Sequence, residues 1–271
     1  MLIRLESQSN SRIRLVRKLG TRKGRTAEGK FVIEGLNLVR QAVEESLDIV
    51  FIMIPDDYDV SPGNDISGLI AFTDACISSR DLNVCMVPAR TFADLTDAGS
   101  GIGILAVLRI PDTDISVIES LPYNANILIL DRIQDPGNTG TMIRTAAAAG
   151  YGMIIGVKGT ADIYSAKVLR ATAGMIFDIP FAYTDSVSAL ADALHSSGRR
   201  IVVTDPAGGR PYYEEDLREG IALVIGNEGN GISDELLSLA DVRVTLPMKG
   251  GIESLNAAAA AAILMYEAVR R

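Results

Sequence analysis

The chain has 271 residues, 48% of them hydrophobic and 22% charged, and a net charge of −8. That length allows one large or two ordinary domains, and no apolar run approaches the ~18 residues that a membrane-spanning helix needs. One histidine (His195) and two cysteines (Cys76 and Cys85) supply little for a zinc site, a disulfide framework or Ser-His-Asp chemistry, so neither metal nor membrane is expected and the location is read as cytoplasmic.

The N-terminus, "MLIRLESQSNSRIRLVRKLG", has scattered charges and no continuous apolar core, so it does not read as a secretory signal. Residues 1–30 hold nine basic side chains, among them Arg4, Arg12, Arg14, Arg17, Lys18, Arg22, Lys23, Arg25 and Lys30, against Glu6 and Glu28. This +7 arm leaves −15 on the rest of the chain. A concentrated basic arm on an acidic body is either a phosphate-binding footprint or a solvated, partly flexible terminus. "SRIRLVRKL" has helical spacing, and "KFVIEG" is a short strand. "LNLVRQAVEES" is an amphipathic helix with Leu36, Val39, Ala42 and Val43 on one face. "DIVFIMIP" is a buried strand, "DISGLIAFTDACISS" a helix, "NVCMVP" a strand, "ARTFADLTD" a short helix and "GIGILAVLRIP" a strand. Strands separated by helices indicate a small layered α/β domain over residues 1–110. A connector follows over residues 111–124, with prolines at 111 and 122 and no clear period.

The alternation restarts over residues 125–271. "NILILD" is a strand, and "NTGTMIRTAAAAG" a helix opening at Asn138 and stopping at Gly150. "GMIIGV" is a strand, "IYSAKVLRATAG" and "SVSALADALHSSG" are helices, and "RRIVVTD" is a strand. His195, at the end of the second of these helices, reads as structural. "GIALVIGN" is a strand, "SDELLSLA" a helix capped by Ser233, "VRVTLPM" the last strand and "SLNAAAAAAILMYEAVR" the last helix. These strands are continuously apolar, the pattern of a mostly parallel sheet with helices on both faces. Ligands of such sheets sit beyond the carboxyl ends of the strands.

Three loops at those ends carry polar chemistry. In "LDRIQDPGNTGTMIRTAAAAG", Asn138 reads as an N-cap, and helical spacing puts Thr141, Arg144 and Ala148 on one face. Arg144, one turn into the helix, suits a phosphate or a carboxylate; an ordinary surface salt bridge accounts for it equally. "LVIGNEGNGIS" wraps glycines and asparagines around Glu228, with Gly226, Gly229 and Gly231 read as sites of close backbone approach. It lacks the Gly-Lys-Ser/Thr of a phosphate loop, and its glycine spacing and position do not suit a dinucleotide fingerprint. In "VTLPMKGGIESLNAAAAAAILMYEA", Pro247 and Gly250-Gly251 break the chain, and Ser254 and Asn256 precede six alanines.

In this order and spacing, the three loops resemble the signature motifs of the SpoU/TrmH family of RNA 2′-O-ribose methyltransferases, within the SPOUT class. The resemblance rests on Asn138 and Arg144, on Asn227-Glu228-Gly229 with Gly231, and on Ser254-Leu255-Asn256 before a small-residue helix. "FVIEGLNLVRQAVEE" resembles the ribosomal-protein-like α/β RNA-binding domain found ahead of that catalytic domain. The resemblance implies a C-terminal domain with a deep trefoil knot, S-adenosylmethionine as cofactor, and a homodimer with the last helix at its interface. It implies catalytic roles for Arg144, Asn138, Glu228, Ser254 and Asn256, with Glu228 organising Arg144 or neighbouring backbone. It implies cofactor contacts from Gly226, Asn227, Gly229, Leu246, Met248, Ser254, Leu255 and Asn256. The N-terminal module favours ribosomal RNA over transfer RNA as partner. A catalytically inactive RNA-binding or ribosome-assembly factor on the same fold is the alternative.

Overall fold

The computed structural model describes residues 2–57, 82–96, 103–205, 208–250 and 254–270. Contacts divide it into two units, Met1–Pro111 with Tyr164–Leu169, and Asp112–Ile163 with Arg170–Arg271.

The first unit runs β1 (Leu2–Arg4), α1 (Ser11–Leu19), α2 (Arg22–Glu28), β2 (Lys30–Glu34), α3 (Leu36–Glu44), β3 (Ile49–Pro55), β4 (Asn83–Val87), α4 (Ala89–Ala93) and β5 (Leu105–Arg109). Its strands form one mixed sheet in the order β1-β4-β3-β5-β2, in which β5 runs antiparallel to both neighbours. The basic arm is ordered. Asn10 caps α1 by accepting from the Arg12 N–H at 2.9 Å, and Ile13, Val16 and Leu19 bury one stripe of that helix. Thr21 caps α2, which was not foreseen, and Gly29 ends it in the left-handed conformation at φ 59°. The four apolar residues assigned to one face of α3 are all buried. The expected helix within residues 65–79 lies outside the described residues.

The second unit opens with a 3-10 helix (Ile115–Ser120) inside the expected connector, and Ile118 is fully buried in this unit's core. There follow β6 (Ile127–Asp131), α5 (Pro136–Ala148), β7 (Met153–Val157), α6 (Ala166–Thr172, of which the residues up to Leu169 count with the first unit), β8 (Phe181–Thr184), α7 (Val187–Ser196), β9 (Arg200–Thr204), β10 (Arg210–Pro211), β11 (Ile221–Gly226), α8 (Asp234–Ser238), β12 (Val242–Thr245) and α9 (Ala257–Glu267). The seven strands pair in the order β10-β12-β9-β11-β6-β7-β8, and every pairing is parallel. Ile127, Ile129, Met153, Ile155, Val203 and Val224 pack on one face under Leu190 and Leu194 of α7. The alternate residues Leu128, Leu130, Ile154 and Leu223 are equally buried, on strands whose other side carries α5 and α9. Burial on both faces is what the unbroken apolar runs encode, at roughly 1.5–3 kcal/mol for each large side chain removed from water.

Chain order reverses between β6 and β11. From β6 the sheet grows outward through β7 and β8, while β9, β12 and β10 lie beyond β11. At this junction Gly226 is in register with Asp131, so the loops after both strands leave from one point on the carboxyl edge.

Two helix starts differ from expectation. The N-cap of α5 is Asp135, not Asn138: its carboxylate accepts the Asn138 N–H at 2.7 Å, with Pro136 at the first helical position. Ser233 occupies the N-cap of α8 but makes no capping bond; its N–H donates to Asp131 Oδ2 at 2.6 Å. The cap of α9 is Asn256, whose Oδ1 accepts from Ala258 and Ala259. For Asn138 the reason is tertiary, since Glu228 and Asn256 take its side chain, whereas the Ser233 hydroxyl is buried with no hydrogen-bond partner among the described residues.

Candidate active site

Asp131, the last residue of β6, is fully buried, and its Oδ1 accepts from the Arg132 guanidinium at 3.1 Å. Together with the Ser233 bond this ties the β6 end to the far side of the loop after β11. That loop is closed by Asn227 and Gly231, which exchange backbone hydrogen bonds of 3.0 and 2.9 Å. The Asn227 side chain faces both ways, donating to the Arg132 carbonyl at 2.9 Å and accepting the Gly229 and Asn230 N–H groups at 3.0 Å.

The three glycines of the loop have three different reasons. A Cβ on Gly226 would lie 2.4 Å from the Gly231 carbonyl carbon, so the loop folds back over Gly226 itself. Gly231 takes a left-handed φ of 66°. Gly229 requires neither: a Cβ there would meet its nearest atom at an ordinary 3.7 Å. Close approach is therefore internal to the loop at one position, rather than a property of all three.

Glu228 points to the first motif. It accepts from Asn138 Nδ2 at 3.0 Å and, over longer distances, from the backbone N–H groups of Asp135 (3.3 Å) and Gln134 (3.4 Å). Burial pushes its carboxyl up, but these hydrogen bonds, led by that from Asn138, outweigh it and hold the group below the ordinary glutamate value. Asn256 then donates from Nδ2 to Asn138 Oδ1 at 2.9 Å. One chain, Asn256 to Asn138 to Glu228, joins all three motif loops. It requires the Asn138 side chain, which is free for the task because Asp135 does the capping.

Arg144 stands on the helix face that its spacing gave it. It is on the exposed face of α5 with Thr141 and Ala148, and no hydrogen bond or ion pair joins it to Glu228 or any other group among the described residues. Glu228 thus organises backbone and Asn138, not Arg144.

Beyond the ends of β9, β11 and β12 lies a cavity of about 590 Å³. Gly226, Asn227, Gly229, Leu246, Met248, Ser254, Leu255 and Asn256, the eight residues assigned to the cofactor from sequence, all line it, as does Glu228. Sequence reasoning missed Thr204, Asp205, Ile232, Val244, Thr245, Ala257 and Ala260, which also line it. Thr204 and Asp205 were findable, as the residues at the carboxyl end of a strand next to the loop strand; Ala257 and Ala260 take part only because α9 turns its start toward the cavity. Two carboxylates, Asp205 and Glu228, stand in this wall, and no Lys, Arg or His does among the described residues. Asn138 and Arg144 do not line it. His195 is remote in role: its Nε2 lies 3.1 Å from Asp241 Oδ2, which also accepts the Ile201 N–H. Among the described residues no group of three or more His, Cys, Asp or Glu stands together to hold a metal ion, and no helix is long and apolar enough to cross a membrane.

Comparison with known proteins gives this arrangement a family. The model of the SpoU rRNA methylase family matches residues 125–266, and that of the MRM3-like substrate-binding domain matches residues 10–106. The 23S rRNA (guanosine(2553)-2′-O)-methyltransferase RlmP of Bacillus subtilis is 34% identical over 262 residues, 97% of this chain and 97% of its own. An AdoMet-bound rRNA methyltransferase from Sinorhizobium meliloti superposes with a TM-score of 0.86 at 28% identity, covering 98% of this chain and 97% of that one. The SpoU methyltransferase AviRb from Streptomyces viridochromogenes, in complex with AdoMet, does so with a TM-score of 0.81 at 28% identity, over 96% and 98%. By its catalytic and substrate-binding modules alike, the chain belongs to the SpoU rRNA methylase family.

Proposed function

We propose that this chain transfers a methyl group from S-adenosylmethionine to a ribose 2′-hydroxyl of ribosomal RNA, working in the cytoplasm as a homodimer. The observation that carries the reading is the cavity wall, which among the described residues holds two carboxylates, Asp205 with the Arg243 guanidinium 3.5 Å away and Glu228 held by Asn138, and no cation of its own. A site for a phosphate-bearing nucleotide would present cations, whereas a sulfonium and an ammonium with no phosphate suit this wall. The cavity's size is in the range of small-molecule cofactor sites. Gly226, Asn227, Gly229, Leu246, Met248 and Leu255 would hold the cofactor, with Ser254 and Asn256 fixing the third loop against it.

The cofactor supplies an electrophilic methyl group when bound. The chain's own residues position the attacking hydroxyl. Arg144, exposed on α5 and without a partner among the described residues, offers its guanidinium donors to an RNA phosphate and to the developing charge on the ribose oxygen. It orients and stabilises, and does not take the proton. Glu228 is ionised but committed to Asn138 and backbone, so it is an organiser and not the base. The hydroxyl proton then leaves to an acceptor outside the three motifs, an RNA phosphate or water.

The domain reading is proposed on the same basis: residues 1–110 bind RNA, 111–124 connect, and 125–271 catalyse. So is the trefoil knot, supported by the packing of α9 against α5 and β11. Homodimerisation is supported by the exposed Ile263 and Tyr266 on the outer face of the last helix and Val269 just beyond it.

Calorimetry with S-adenosylmethionine, followed by tritiated-methyl transfer to rRNA from a deletion strain, tests the reading. Binding of one cofactor per chain and incorporation at one ribose in rRNA are expected. Binding of neither cofactor nor methyl label would leave a ribosome-assembly factor. A methyl mark lost from tRNA in the deletion strain, with rRNA unchanged, would move the substrate.

A further inference from the structure

Residues 11–29 hold seven cations and a single acid, Glu28. The structure divides those cations into two groups. Arg25 is buried and donates to the Leu19 carbonyl at 2.6 Å, Arg12 lies 5.8 Å over the Phe51 ring, and Lys18 pairs with Glu28. These three serve the fold. Arg14, Arg17, Arg22 and Lys23 are exposed. Arg14 and Lys23 have no hydrogen-bond or ion-pair partner among the described residues, and the Arg17 guanidinium reaches Gln8 Oε1 at a weak 3.4 Å.

Stability does not account for Arg14 and Lys23. Arg17 sits favourably in the last turn of α1, but Lys23 lies in the first turn of α2, where the helix dipole disfavours positive charge. The two helices also meet too closely for the cations to disperse. A Cβ on the buried Gly24 would fall 1.8 Å from the Lys18 carbonyl oxygen, so the first turn of α2 lies directly on the end of α1. Helical spacing puts Arg14 on the same side as Arg17. The result is one crowded cationic corner on a chain whose remaining residues are strongly acidic.

We infer that this α1–α2 corner, through Arg14, Arg17 and Lys23, docks the sugar-phosphate backbone of the RNA substrate. The inference rests on the methyltransferase reading above and adds to it the surface that takes the RNA. Charge complementarity selects the occupant: a polyanion gains from the corner and is repelled by the acidic body, which orients it on approach.

The test is the salt dependence of RNA binding by the full chain, read by fluorescence anisotropy with a labelled stem-loop RNA. In the variant Arg14→Gln/Arg17→Gln/Lys23→Gln, affinity near physiological salt is expected to fall about tenfold or more, and the log–log salt slope to shrink by roughly two to three. Cofactor affinity and melting temperature are expected to match the wild type. Arg210→Gln/Arg218→Gln, which removes the same kind of charge from the catalytic unit, is expected to leave the slope unchanged. An unchanged slope and affinity in the triple variant, with the wild type still methylating rRNA, overturns this docking surface and leaves the activity intact. A wild type that binds the cofactor but transfers no methyl to any RNA overturns the activity instead, and the surface with it. A change of mass in light scattering with RNA binding intact assigns the corner to the acidic face of a second copy and also overturns the proposal.

Discussion

At the scale of single residues, Glu228 and Arg144 divide the labour that sequence alone gave them jointly. Glu228 takes three hydrogen bonds and makes none to Arg144, while Arg144 stands exposed and unpaired on α5. Arg144→Ala is therefore expected to lower turnover about 100-fold or more while cofactor affinity by calorimetry changes less than about twofold, since Arg144 serves the RNA and the developing charge and does not line the cofactor cavity. For Glu228 the sign of the pH effect is determined by its lowered carboxyl value. Its contribution to stability is fully present above the unfolded-state value of about 4.3 and is lost as pH falls through the lower folded value. Glu228→Gln is expected to melt below the wild type at neutral pH, and the gap is expected to close in scanning calorimetry carried below about pH 4. A gap that stays constant over that range would mean that the carboxylate is not what holds Asn138. Asn138, Glu228 and Asn256 were all legible as polar residues at strand ends. Their mutual bonding was not, because Asn138 stands 90 residues from Glu228 and 118 from Asn256, and no local rule reaches across such gaps.

At the scale of elements, legibility followed the strength of the apolar period. The buried strands of the large sheet and the four-residue stripe of α3 were read directly, since hydrophobic pattern and burial are one physical fact there. β8 was missed because four residues after Pro180 give no period to read, and α2 because its sequence, RKGRTAE, presents no apolar stripe. The β11 loop was read from its glycines with an incomplete reason. Gly226 is required because the loop's own backbone lies on it, so Gly226→Ala is expected to displace the Asn227–Gly231 bridge, weakening cofactor binding at least about tenfold and lowering the melting temperature in scanning fluorimetry. Gly229→Ala, by contrast, has room for a methyl group and is expected to keep the wild-type melting temperature. Equal losses in both variants would show that flexibility, not space, is what the loop requires.

At the scale of the whole molecule, the last helix, which the resemblance places at a dimer interface, has two faces. Ala258, Ala261, Leu264 and Met265 are buried, while Ile263 and Tyr266 are 42% and 50% exposed, with Val269 just beyond the helix 49% exposed. If the outer face joins two copies, Ile263→Glu/Tyr266→Glu is expected to halve the mass in light scattering while each monomer stays folded by circular dichroism; an unchanged mass would place the interface elsewhere. Charge asymmetry was likewise visible in the sequence, but which cations are consumed by packing was not, since that depends on where Phe51 and the Leu19 carbonyl come to rest. The central pairing of the large sheet has one more consequence. β6 pairs with β11, whose chain arrives some 90 residues later, and Asn138 waits for Asn256, close to the end of the chain. Such non-local closure slows folding, because the entropy of a long loop is lost before any contact rewards it. On a translating ribosome the cavity thus forms late: residue 256 must emerge before it has its third wall, and a chain halted short of that residue is left with a formed sheet edge and an open cavity.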